Sequence, residues 1–238
     1  MKVQYLLRGF SFLVILLMMT QLINAQKSNS LTVKEKKHGW VLLFDGKTTN
    51  GWMTPGGKPV PAGWEVKDGC ISTVKGGKGG DIVTVDEYKD FEFSVDFNIV
   101  PGCNSGIKYF YTKYAKGGNL GMEYQILDDK LAEDNKKDNH LCGSFYDVLP
   151  PNIAEKKVNS PGQWNTILIV AKGKKVEHWL NGKKILEFTR GSKSFTDAVV
   201  ISKFNKTEPA FGTVDKGRIL LQEHGGVVSF RNIKIKSL

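Results

Sequence analysis

Residues 164–189 read WNTILIVAKGKKVEHWLNGKKILEFT and predict three consecutive antiparallel strands. Apolar runs at 164–171 and 176–180 flank a turn at Gly173. The pair Asn181-Gly182 then gives the strongest two-residue hairpin signal in the chain, because both residues tolerate a positive φ. The stretch is therefore predicted to fold as an antiparallel meander.

The rest of the chain repeats this pattern of short strands and Gly-rich turns. Residues 91–100 (FEFSVDFNIV) alternate apolar and polar side chains, and Asp68-Gly69 marks a second tight hairpin. No long amphipathic helical period occurs, and short helices are expected only near 84–88 or 194–199. The sequence therefore predicts an all-β protein, a jelly-roll sandwich of two antiparallel sheets.

The first residues have the features of an export signal. Lys2 and Arg8 precede an apolar run at 10–19, and Ala25 provides a small residue at the predicted cleavage point. The next residue is not Cys, so this site implies no lipid anchor. We expect residues 1–25 to be removed, the protein to be periplasmic or secreted, and no membrane insertion to follow.

The remaining chain is predicted to comprise a flexible leader at 26–37 and a single jelly-roll catalytic domain at 38–238. Without residues 1–25, which hold two basic and no acidic residues, the formal charge falls from +10 to +8. The lysines are spread along the chain, which favours a solvated surface over a nucleic-acid partner. The oligomeric state is left open.

The three cysteines, Cys70, Cys103 and Cys142, cannot all pair within one chain. Two interpretations remain open. All three could be free thiols, or Cys103 and Cys142 could form a disulfide in an exported protein.

Two strand segments place polar side chains next to each other on one face. Glu123 and Gln125 alternate with apolar residues, so they point away from the core, and Gln222 and His224 do the same before a Gly-Gly turn. An acid, amides and an imidazole on the concave face of a sandwich suit sugar hydroxyls and proton transfer. Ordinary solvent-facing strands would give the same pattern.

Further candidates lie close to turns. Asn104 and Lys108 occupy one polar turn and the strand after it, and Tyr146 follows a Cys-Gly turn. Lys203 precedes a loop in which Phe211 could form the wall of a sugar subsite. The charged loop at 130–139 is interpreted as solvated, since it lacks the spacing of a calcium loop.

Several enzyme classes lack support in the sequence. It contains no Gly-x-Ser-x-Gly elbow, phosphate-binding loop or dinucleotide motif. No pair of closely spaced carboxylates indicates an ordinary two-carboxylate glycosidase.

Taken together, these segments resemble the 3-keto-disaccharide hydrolase family over about residue 39 to the C-terminus. The motifs that carry the resemblance are GWVLLFDG at 39–46 with Gly51-Trp52, Asn104-Ser105-Gly106, Glu123-Tyr124-Gln125, Gly143 with Tyr146-Asp147, GQWN at 162–165, HWLNG at 178–182, Leu221-Gln222 with His224-Gly225, and FRNI at 230–233. One departure is Cys142, where the family pattern leads us to expect Thr or Ser.

The resemblance implies a concanavalin A-like jelly roll that cleaves an oxidised (3-keto) oligosaccharide or glycoside. On this hypothesis His224 or Glu123 removes the C2 proton, which the neighbouring ketone acidifies. Lys108, Gln125 and Tyr146 would act as donors or as the acid for the leaving group.

Other residues would position the sugar or support the site. Asn104, Lys203, Phe211 and Gln222 are predicted to bind substrate, and Arg231 to brace the site. No cofactor is firmly implied. A divalent metal on Glu123, Asp128 and His224 is left open.

Two other functions fit the same residues. A non-catalytic carbohydrate-binding module on the same fold would bind sugars without turnover. A protein binding acidic polysaccharide or nucleic acid would show steeply salt-dependent binding, but the dispersed lysines favour it least.

Overall fold

A computed structural model describes residues 27–116 and 118–238 of the chain. The predicted export signal lies outside the described residues. Within them, no helix has the length and apolar character needed to cross a bilayer.

The described residues form a sandwich of two antiparallel sheets, as the sequence predicted. The strands of the larger sheet are β1 (Trp40–Leu42), β3 (Trp64–Lys67), β4 (Cys70–Thr73), β6 (Phe91–Ile99), β9 (Asn165–Lys172), β10 (Lys175–Leu180), β11 (Lys183–Thr189) and β13 (Val228–Ser237). Their order in the sheet is β11-β10-β9-β6-β13-β4-β3, and β1 pairs with β13.

The strands of the smaller sheet are β2 (Trp52–Met53), β5 (Ile82–Thr84), β7 (Asn104–Tyr114), β8 (Gly118–Leu127) and β12 (Arg218–Leu221). Their order in the sheet is β2-β5-β12-β7-β8. The helices are α1 (Val33–Lys37), α2 (Lys193–Ile201) and α3 (Phe204–Thr207), with a 3-10 turn at Asp138–His140.

Alternation along the strands builds the core between the sheets. In β6, Phe91, Phe93, Val95, Phe97 and Ile99 are buried, while the residues between them are partly exposed. Burying a large apolar side chain stabilises the fold by roughly 1.5–3 kcal/mol, so this period-two pattern fixes which face of β6 points inward.

Both hairpins predicted from the turn residues form as expected. Asp68 and Asn181 adopt φ values of 50° and 49°, and the glycines after them are also in the left-handed region. Asn and Asp tolerate this conformation better than most side chains. These turns therefore fix the β3–β4 and β10–β11 registers.

Contacts join the segment before β1 to the larger sheet. The helix α1 has a Thr32–Glu35 capping box, and Glu35 pairs with Lys234. Asn29 adds hydrogen bonds to Asn232 and Gly69. The short helix forms at α2, as one of the two expected places, but not near 84–88.

Cys70, Cys103 and Cys142 are free thiols, so the Cys103–Cys142 disulfide is absent. Burial raises the pKa of Cys103 and Cys142 to about 12. Neither thiol therefore has the thiolate character of a reactive cysteine.

A fully buried histidine connects the two sheets. His178 of β10 donates from Nδ1 to the Gly143 carbonyl at 3.0 Å, and its Nε2 accepts from the Tyr109 hydroxyl of β7 at 2.9 Å. These partners fix the neutral tautomer. Burial lowers the pKa of His178 to about 4.

This histidine should make the fold less stable in acid. Its pKa is lower in the folded than in the unfolded chain, so the unfolded chain binds more protons between about pH 6.5 and about pH 4. We expect His178 alone to remove about 2 kcal/mol of unfolding free energy between about pH 7.5 and about pH 5.

Urea unfolding at several pH values measures this effect. His178→Gln should lower stability at neutral pH and flatten the pH dependence. His38→Gln, at an exposed position, removes an imidazole outside the core and should keep the wild-type slope. The same slope in wild type and His178→Gln would contradict the assignment.

Candidate active site

The outer face of the smaller sheet carries the polar residues singled out in the sequence. Lys108 of β7 lies opposite Glu123 of β8, and Gly106 lies opposite Gln125. Their neighbours Ile107 and Tyr124 are fully buried in the core. Strand alternation therefore presents the amine and the carboxylate on the same side of the sheet.

These side chains line one cavity of about 670 Å³. It brings together most of the predicted site residues, namely Asn104, Lys108, Glu123, Gln125, Tyr146, Lys203, Gln222 and His224. A volume of this size suits a small ligand such as a mono- or disaccharide.

Glu123 forms the floor of the cavity and is only 5% exposed. Its Oε2 lies 3.7 Å from Lys108 Nζ. The groups around the Gln125 amide assign its orientation, since only with the nitrogen toward Glu123 are both amide ends satisfied. In that orientation the nitrogen donates to Glu123 Oε1 at 3.1 Å and to the Ser105 carbonyl at 3.0 Å. Gly106 leaves the space that the carboxylate occupies, since a Cβ there would lie 2.5 Å from Oε1.

The protonation of Glu123 is set by opposing effects. Burial raises the pKa of its carboxyl group, and the positive charges of Lys108 and Lys203 hold that rise down. The carboxylate of Asp81 adds to the rise. A carboxylate in such surroundings is a stronger base than an exposed one.

His224 lies at the mouth of the cavity, in the turn that follows β12. It is exposed, whereas the Glu123 floor is not. Asp81 anchors this turn by accepting the Glu223 backbone N–H at 3.0 Å. Beside it, the Gln222 side-chain oxygen is buried without a hydrogen-bond partner in the described part of the chain, so it is available to a ligand donor.

The charged loop at 130–139 is largely exposed, as expected, and it also forms a wall of the cavity. Leu131, Glu133 and Asp134 line the cavity together with Phe204 of α3. Sequence reasoning missed all four. The one available signal was the loop's acidic composition, which does not show where a loop folds.

The carboxylates of Glu123, Glu133 and Asp134 therefore line the same cavity. The hydrogen bonds and charges around each carboxylate decide how readily it binds a proton.

Two predicted residues do not reach the cavity. Phe211 is 1% exposed and stacks under Phe204, with ring centroids 4.1 Å apart, so Phe204 lines the cavity in place of Phe211. Arg231 lies on the larger sheet, where its guanidinium lies 3.9 Å from the Trp164 ring centroid and pairs with Asp96. Arg231 braces that sheet and not the site.

The metal set considered from the sequence is not assembled. Asp128 is buried, and its carboxylate accepts backbone N–H groups from Gly102, Lys130 and Leu131. Within residues 27–116 and 118–238, no group of three His, Cys, Asp or Glu side chains is arranged to hold a metal ion. Asp128 instead caps the turn that begins the cavity wall.

Fold and cavity together define a jelly-roll protein with a polar ligand site on the outer face of its smaller sheet. The chain belongs to the family described as the 3-keto-alpha-glucoside-1,2-lyase-like domain, whose model matches residues 39–236.

Individual relatives agree with this assignment. A Bacteroides thetaiotaomicron protein named 3-keto-disaccharide hydrolase is 33% identical over 91% of this chain and 84% of its own length. Two Parabacteroides distasonis crystal structures described as candidate glycosyl hydrolases also match. The first is 35% identical to this chain, has a TM-score of 0.80, and covers 89% of this chain and 100% of its own. The second is 33% identical, has a TM-score of 0.67, and covers 84% of this chain and 99% of its own.

The charge of Lys108 should be visible in the titration of Glu123. Lys108→Met keeps much of the apolar stem and removes the cation that lowers the pKa of Glu123. We expect that pKa to rise further, as measured by carbon-13 NMR of labelled glutamate, with Glu123→Gln assigning the signal. Lys113→Met, an exposed position on the same strand, is the matched control. An unchanged or lower pKa in Lys108→Met would contradict this electrostatic account.

Proposed function

We propose that this protein cleaves glycosides whose sugar carries a ketone at C3, and that it does so in the periplasm or outside the cell. Family membership and the 3-keto-disaccharide hydrolase relative support the substrate class. The observation that carries the chemistry is the buried Glu123 carboxylate, which lies beside Lys108 on the floor of a polar cavity.

A ketone at C3 makes the C2 proton acidic, because the resulting carbanion is an enolate. A general base removes that proton, and the enolate then expels the substituent at C1. Water adds to C1 and a proton returns to C2, so the net reaction is hydrolysis. One base, one acid and positive charge near the enolate oxygen are enough.

We assign the base role to Glu123, since burial raises the pKa of its carboxyl group and so strengthens the carboxylate as a base. The ammonium groups of Lys108 and Lys203 line the same cavity. They provide positive charge for the enolate oxygen.

His224 would serve the leaving group at the cavity mouth. In its protonated form it gives a proton to the departing C1 oxygen and later takes one from the water that adds to C1. Glu123 exchanges its carboxyl proton with the surrounding water and then gives a proton to C2. Both residues then recover their starting states, and no proton is left over.

Amide groups would bind the sugar hydroxyls. Asn104, Gln125 and Gln222 line the cavity, and the buried oxygen of Gln222 has no partner among the described residues. A sugar hydroxyl that donates to this oxygen would satisfy it, which favours binding of a hydroxylated ligand.

The direct test is release of the aglycone from a 3-keto-glucoside. Glu123→Gln and His224→Gln, assayed separately, should each lower kcat by about 10²–10⁴-fold, which is the usual contribution of a general base or acid. Glu65→Gln, exposed on the larger sheet, is the control. Wild-type turnover in both variants would overturn the assignment, and binding without turnover in the wild type would indicate a carbohydrate-binding module.

A steric variant tests the position of the Glu123 carboxylate. Gly106→Ala places a methyl group 2.5 Å from Oε1, which is too close, so the carboxylate must move while the strand is kept. We expect kcat to fall by about 10²-fold, which is the cost of a misplacement of about 1 Å, with an unchanged circular dichroism spectrum. Gly56→Ala, where a Cβ would meet only the Thr54 hydroxyl at 3.9 Å, should be silent. Full activity in Gly106→Ala would count against Glu123.

A further inference from the structure

The imidazole of His140 lies between two carboxylates behind the cavity wall. Its Nδ1 is 2.7 Å from Asp134 Oδ1, and its Nε2 is 2.9 Å from Asp147 Oδ1. The His140 and Asp147 side chains are 11% and 9% exposed. A carboxylate oxygen only accepts hydrogen bonds, so both contacts are complete when each ring nitrogen carries a hydrogen.

Each of these carboxylates also holds a second segment of the site. Asp134 Oδ2 accepts the Tyr146 hydroxyl at 2.8 Å, and Asp147 Oδ2 accepts the Lys203 backbone N–H at 2.7 Å. His140 therefore links two side chains that line the cavity, Tyr146 and Lys203.

The direction of the Tyr146 hydrogen bond has a chemical consequence. A phenol has one hydroxyl hydrogen, and here that hydrogen points to Asp134. Only the lone pairs of the oxygen remain for the cavity. Burial raises the pKa of Tyr146, and the hydrogen bond to Asp134 raises it further, so the group stays a neutral phenol.

We propose that His140 is a positioning residue which, by fixing Asp134, makes Tyr146 a hydrogen-bond acceptor for a free hydroxyl of the bound sugar. This assignment replaces the donor or acid role expected for Tyr146 from the sequence. It rests on the proposed sugar substrate for the identity of the ligand, and on the contacts of Asp134, His140 and Tyr146 for the direction of the bond.

Two further charged groups adjoin this network. Lys203 Nζ lies 4.2 Å from the Tyr146 ring centroid, and Lys137 Nζ lies 3.9 Å from Asp147 Oδ1 with a largely exposed side chain. Lys203 belongs to the cavity. Lys137 does not line it, so Lys137→Gln disturbs the same loop without touching the bonds that orient Tyr146.

A titration tests the orientation without any substrate. The protein is labelled with carbon-13 at the tyrosine Cζ, and Tyr146→Phe identifies the Tyr146 signal. This signal should titrate at lower pH in Asp134→Asn than in wild type. The negative charge that receives the hydroxyl hydrogen is gone in this variant. Lys137→Gln should match wild type. An identical titration in Asp134→Asn would overturn the proposal.

A second experiment tests the acceptor role with 3-keto-glucosides in which one ring hydroxyl at a time is replaced by fluorine, which cannot donate. For wild type, one analogue should raise KM about tenfold, the cost of a lost hydrogen bond to a partly buried acceptor. The change in kcat should be smaller. Tyr146→Phe and His140→Gln should each abolish this penalty, and Lys137→Gln should keep it.

The outcomes separate the two proposals. Equal KM penalties in wild type and Tyr146→Phe would overturn the acceptor role. A penalty that persists in His140→Gln would show that His140 does not act through Tyr146. Absence of wild-type turnover would overturn the proposed function, and the tyrosine titration would still decide the orientation.

Discussion

The central physical constraint of this site is the burial of the Glu123 carboxylate. An ionised group taken out of water costs several kcal/mol unless charges and hydrogen bonds offset the loss. Lys108 and Gln125 offset that cost from the same sheet as Glu123. Lys203, the residue before helix α3, adds positive charge. The cavity therefore combines a basic carboxylate with cations that could stabilise developing negative charge.

The sandwich maintains this arrangement from below and from the side. Below the sheet, His178 ties β10 to Tyr109 of β7 and to the Gly143 turn, so the segment that leads to Tyr146 is held by the core. At the side, the Tyr146 backbone N–H donates to the Glu123 carbonyl at 3.0 Å. The cavity wall is thus attached directly to the strand that carries the carboxylate.

The sequence was informative wherever short-range periodicity decides the outcome. Alternation predicted the sandwich and placed Glu123 and Gln125 on the face opposite Tyr124, because a strand offers only two faces. The path of an irregular loop has no such rule. The positions of Asp134 and His140 therefore emerged only from the folded chain.

The same limit explains the misplaced residues. Phe211 and Phe204 are both aromatic and close in sequence, and only packing decides that Phe211 is buried beneath Phe204. The alternation around Arg231 predicts a strand, but alternation does not show to which of the two sheets a strand belongs.

The most direct test of the account is to follow deuterium in heavy water during cleavage of a 3-keto-glucoside. Wild-type protein should place deuterium at C2 of the released sugar at a rate tied to cleavage, and Glu123→Gln should place none above the uncatalysed background. Cleavage that leaves C2 unlabelled, or labelling that persists undiminished without the Glu123 carboxylate, would contradict the account.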